Sequence, residues 1–162
     1  MNQKQISRLL IAAGALAGIG VLALAGVFAP ALAKDALEAN ADAPGIRGLY
    51  WTGLIGVWTV AALFLLALAE YFFVCVRIGK DRSFCPENVK SLRRIALYLA
   101  IVGILWIGAV FVPGLSGLPA GPAWLLFLLA SMASFALAIL AWCLGRLLAR
   151  AVALQQESDL TV

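Results

Sequence analysis

"VPGLSGLPAGP", residues 112–122, decides how many times this chain crosses a membrane. Three prolines and three glycines fall within those eleven residues. Proline removes a backbone donor and glycine a stiffening Cβ, so the run should break any helix that enters it. It sits inside an uncharged apolar run, Ile95 to Gly145, far longer than the roughly 20 residues a helix needs to cross ~30 Å of hydrocarbon. Splitting the run there yields two spans. Toward the N-terminus, Leu49 to Ala69 and Leu9 to Ala33 supply two more. The count is four.

Composition agrees. Of 162 residues, 64% are hydrophobic and 12% charged, against about 25% charge in an ordinary soluble domain. A soluble fold of this size could not hide so much apolar surface. The expected fold is therefore all-α: a polytopic membrane protein, one domain over residues 1–162, with four transmembrane helices in a small antiparallel bundle. The helices are expected at about 8–29, 50–76, 86–112 and 122–146. Lys34 to Gly48 is expected to be the longest loop without helix character. Lys4 and Arg8 ahead of the first apolar run, with Ala31-Leu32-Ala33 after it, imitate a secretory signal. That run exceeds the 7–15 residues usual for a signal, and an uncleaved anchor is expected.

Charge sets the orientation. Lys4 and Arg8 precede the first span, and Arg77, Lys80, Arg82, Lys90, Arg93 and Arg94 lie around the second connection. Arg146 and Arg150 follow the last span, which places ten of the twelve Lys and Arg at one end of the helices. The positive-inside rule then puts both termini and the 77–94 segment in the cytoplasm. Tyr50, Trp51 and Trp124 mark the outer interface, and Tyr71 and Trp142 the inner one. The pI of about 9.3 needs no nucleic acid to explain it, and no direct nucleic-acid partner is expected.

Enzyme chemistry finds no foothold. The chain has no histidine, the commonest acid–base residue and metal ligand. Cys75, Cys85 and Cys143 lack paired metal-type spacing, and no phosphate loop or nucleophile elbow is present. No cofactor, metal or catalytic residue is expected. Glu70 is the one ionisable residue inside a span. A central carboxylate would cost about 2.5–3.5 kcal/mol, so it should face protein or snorkel. Arg77, seven residues on and ~10 Å along the axis, and Arg146 are its expected partners. A proton or ion site built on Glu70, in a small transporter or channel component, is the rival reading. Gly14-x-x-x-Gly18 and the stripe Ser134, Ala138, Ala141, Gly145 are small-residue faces for close helix approach. They are expected to serve contacts within the chain rather than a homo-oligomer.

The segment "RSFCPENVKSLRRIA", residues 82–96, is dense in charge and still reads as a helix start. Pro86 suits the first helical position, Glu87 favours the positive end of the helix dipole, and Ser83 or Cys85 is the candidate cap. Such a segment serves as a basic anchor, or as a docking surface for a cytoplasmic partner or anionic lipid.

Two short motifs carry a resemblance. Phe84, Glu87, Asn88, Leu92, Arg93, Arg94 and Ile95, together with the terminal Asp159-Leu160-Thr161-Val162, resemble those of a YoaS-like bacterial family of unknown function. Cys85 stands where that family usually has Ser or Thr. The resemblance implies a small four-helix protein of the bacterial inner membrane. It further implies a regulatory partnership with a Cro/CI-type helix-turn-helix regulator encoded beside it, and it supplies no catalytic residue. The expected function is regulatory or interactive, with a partner on the 77–94 loop and the tail: Phe84, Glu87, Asn88, Arg93, Arg94, Asp159, Leu160 and Val162.

Overall fold

The computed structural model describes residues 3–39, 41, 45–80, 85–115 and 123–160, and its regular structure there is helical. Helix α1 spans Gln3–Ala23, a π-helical segment Leu24–Phe28, and α2 Ala29–Ala39; the three run as one rod. Then come α3, Ile46–Gly79, α4, Pro86–Leu115, and α5, Ala123–Leu160. Four stretches within these, Ser7–Asp35, Ile46–Gly79, Pro86–Phe111 and Leu125–Gln156, are long and apolar enough to cross a membrane. The all-α, four-span architecture stands.

Packing follows chain order. The rod packs on α3, α3 on α4 and α4 on α5, and among the described residues no other pair of long helices packs together. Each pair is antiparallel. On the first seam Ser7 reaches Cys75, Leu10 reaches Tyr71 and Ala25 reaches Trp58, so one number falls as the other rises. The result is an open row rather than a closed bundle, with both broad faces left to lipid. Among the described residues thirty large apolar side chains are exposed, Leu16, Phe28, Phe111 and Leu129 included.

Small residues let the row close up. A Cβ on Gly14 would stand 2.9 Å from Tyr71 Cε1 and 3.0 Å from Phe72 Cε1, and one on Gly18 would stand 2.9 Å from Leu68 Cδ2. The Gly14/Gly18 face is therefore the seam between α1 and α3. Ser134, Ala138, Ala141 and Gly145 are buried. Gly145 meets Leu92 of α4, and the neighbouring Ser131 hydroxyl donates to the Gly103 carbonyl at 3.0 Å. Both stripes serve contacts inside the chain.

The π-segment has a local cause. Ala29 N–H bonds to the Leu24 carbonyl, five residues back, which deprives Ala25 O of its ordinary α-helical donor. In the shifted register that donor would come from residue 30, and residue 30 is proline, which has no N–H. Trp58 supplies the missing donor from α3: its indole N–H reaches Ala25 O at 3.1 Å. In hydrocarbon no water could take that role.

The helices outrun their expected limits. Where the sequence suggests a loop from Lys34, α2 continues to Ala39 through "AKDALEA", with Lys34 and Glu38 paired at 3.8 Å one turn apart. The Gly45 φ of 81° marks the turn that starts α3, a conformation suited to glycine. Helix α4 passes 112 to Leu115, taking Pro113 into its last turn at the cost of one backbone bond. The largest difference is α5, which runs past 146 to Leu160. "RLLARAVALQQESDL" contains neither glycine nor proline and is rich in strong helix formers.

Candidate functional site

Polar groups concentrate where the last turns of α3 meet the first turns of α4. Pro86 opens α4 with Glu87 in its first turn, and Asn88 N–H bonds to the Cys85 carbonyl at 3.0 Å. One turn apart, Asn88 and Ser91 point inward and are buried, Asn88 only 1% exposed. Arg77 on α3 reaches both: its Nη1 donates to Asn88 Oδ1 at 3.3 Å and to Ser91 Oγ at 3.1 Å. Farther along the same seam, Arg94 Nη1 donates to Glu70 Oε1 at 2.8 Å. Behind α3, the Ser7 hydroxyl donates to the Cys75 carbonyl at 2.8 Å and the Tyr71 hydroxyl to Leu10 O at 3.1 Å. The charged end of α3 is thus clamped on both sides.

Glu70 finds a partner other than those expected. Arg94 closes on it from the neighbouring helix, while Arg77 is engaged by Asn88 and Ser91. Arg146 lies over the Trp142 ring on its own helix, 4.6 Å from the centroid. The physical reason is reach. On one helix seven residues separate two side chains by ~10 Å, whereas adjoining antiparallel helices set them level.

Asn88 also departs from expectation. The sequence places it among docking residues, yet it is buried and accepts from Arg77, so it pins α4 to α3. Glu87, Arg93 and Arg94 are exposed. Phe84 and Val162 lie outside the described residues. Asp159 and Leu160 close α5, and their side chains are outside the description. Because α5 remains helical, Asp159 stands ~21 Å along the axis beyond Gly145, the residue that meets Leu92. A tail folded back on Arg93 or Arg94 would need α5 to end earlier.

An open groove of about 250 Å³ runs between α3 and α4 over this network. Arg77, Lys90 and Arg94 line it together with Glu70 and Glu87, with Phe73 and Ser91 completing the wall. Ser91 escaped the sequence reading. The spacing Asn88-x-x-Ser91-x-x-Arg94 would have found it, since three-residue steps place all three on one face. Cys75, Cys85 and Cys143 are free thiols. Among the described residues no three His, Cys, Asp or Glu side chains converge as metal ligands would.

A family model described as a protein of unknown function, DUF2975, matches residues 36–162. No curated protein and no solved structure matches the chain.

Proposed function

The chain belongs to the DUF2975 family of unknown function, and from its geometry we propose that it is a regulatory or interaction protein of the bacterial inner membrane. Both termini face the cytoplasm, and the protein binds a cytoplasmic partner there. Catalysis is not its work. The observation that carries this is the helical extension of α5. Past Arg150 the helix runs ten further residues to Leu160, ~15 Å of rigid projection, and Ala153 to Gln156 are exposed, Leu154 prominently so. Membrane crossing does not require this length, since ~30 Å of hydrocarbon takes about 20 residues. Separately, exposed Arg93 in the second turn of α4 offers a forked cation suited to a carboxylate.

The transporter alternative draws less support. Glu70 is held by Arg94, and the described buried polar side chains, Ser7, Asn88, Ser91, Ser131 and Ser134, each take part in a hydrogen bond. A conducting path would want polar groups with spare capacity.

The helix-turn-helix regulator implied by the resemblance is the partner to try first. Tagged full-length protein, solubilised from its own membranes, should retain the regulator encoded beside it. Arg93→Glu and truncation after Gln156 should each abolish retention while insertion stays normal. Retention unaffected by both changes would overturn the proposal. Arg93 is preferable to Arg94 as the probe because substituting Arg94 would also release Glu70.

A further inference from the structure

The groove between α3 and α4 is open and rich in cations. At its charge-rich end Arg77, Lys90 and Arg94 converge on about 250 Å³ of open space. Glu70 also lines it, but that carboxylate is already engaged by Arg94. Glu87 sits in the first turn of α4, at the end of the groove. Among and below the charges the two helices carry apolar side chains on the same faces. On α3, Leu66, Glu70, Phe73 and Arg77 step by three and four residues along one face. On α4, Lys90, Arg94, Leu97, Ile101 and Ile104 do the same. Leu66, Phe73, Leu97, Ile101 and Ile104 are all exposed. Two helical faces with cations at one end and bare hydrocarbon beneath complement a phosphate head group with acyl chains below it.

We propose that this groove is a specific binding site for an anionic phospholipid. Lys90 and Arg94 hold the phosphate, and the acyl chain lies in the furrow between Leu66 and Phe73 on one side and Leu97 and Ile101 on the other. Arg77 is fixed by Asn88 and Ser91 and presents a preset positive wall. Arg94 has the fork to bridge the phosphate and Glu70 at once. Basic pockets between membrane helices take anionic head groups in this way. The groove can take such a lipid from whichever leaflet it faces and without a protein partner.

The test uses the full chain in phosphatidylcholine nanodiscs doped with phosphatidylglycerol, with bound lipid counted by native mass spectrometry after release. Wild type should retain phosphatidylglycerol in preference to phosphatidylcholine. Lys90→Glu, and the milder Lys90→Gln, should weaken that retention about tenfold, the scale of one charge-assisted contact. Arg150→Glu removes an exposed cation outside the groove and should behave as wild type. Equal retention of the two lipids by wild type would overturn the proposal, and so would a loss in Arg150→Glu matching that in Lys90→Glu. Displacement of the lipid by millimolar inorganic phosphate would show that the groove takes free phosphate and would overturn the lipid assignment. Helical circular dichroism on each variant confirms that the fold is intact.

Discussion

Arg94 holds Glu70 across the α3–α4 seam at 2.8 Å, from 24 residues away in sequence, with Glu70 13% exposed and Arg94 61%. The contact joins a carboxylate of the second span to the helix that follows. Removing it should loosen the seam without unfolding the chain. Glu70→Gln and Arg94→Gln should each lower the thermal midpoint in detergent by a small amount, since an exposed partner contributes little. The swap Glu70→Arg with Arg94→Glu should recover most of the loss. A swap no better than the single changes would show that the pair carries no stability.

Asn88 should matter more than its polar, surface-like sequence suggests. Asn88→Ala removes a buried side chain and leaves the half-buried Arg77 guanidinium short of one acceptor, a cost of about 1–3 kcal/mol. Denaturation in mixed micelles would measure it. Arg93→Ala, at an exposed position on the same helix, should change stability by less than about 0.5 kcal/mol.

Trp58→Phe should strip the Ala25 carbonyl of its donor. Interhelical hydrogen bonds of this sort are worth about 0.6–1.7 kcal/mol in membrane proteins. The cost should vanish in a Pro30→Ala background, because residue 30 would regain a backbone N–H of its own. Non-additivity of the two changes, read from thermal midpoints, checks the account. Full additivity would mean that Pro30 and Trp58 act separately.

Gly14→Val should force Tyr71 and Phe72 away from α1, since even a Cβ would meet Tyr71 at 2.9 Å. Overpacking of this kind costs about 1–3 kcal/mol. Gly20 has nothing within 4 Å of a built Cβ, so Gly20→Val should be tolerated. Thermal midpoints of the two variants in detergent would distinguish them, and equal losses would mean that the seam does not depend on Gly14.

Topology reporters fused after residues 40, 84, 117 and 162 should read outside, inside, outside, inside. The charge asymmetry motivates this order, and an extracytoplasmic signal at residue 84 would invert the whole arrangement.

Hydropathy made the four spans legible because burial in lipid demands about 20 apolar residues each time. It was silent on where a helix stops. Charged, alanine-rich segments such as "AKDALEA" and "RLLARAVALQQESDL" leave the hydrocarbon without leaving the helix. Propensity, rather than polarity, governs those ends. The partner of Glu70 was hidden for another reason. Spacing within one helix is readable from sequence, but the level at which two helices meet depends on loop length and seam packing. The inward turn of Asn88 was hidden likewise, because a capped helix start looks the same whether its polar face meets water or a neighbouring arginine.

The open row also prescribes an order of assembly. Helix α3 needs only the rod that precedes it, α4 needs only α3, and α5 needs only α4. Each newly made helix finds its whole earlier interface already in the membrane and never waits for a later one. Low contact order of this kind favours rapid folding, and here it suits synthesis from the N-terminus onward. A chain stopped after α4 would retain the seams made up to that point, so assembly can proceed as successive hairpins zipped onto a growing edge.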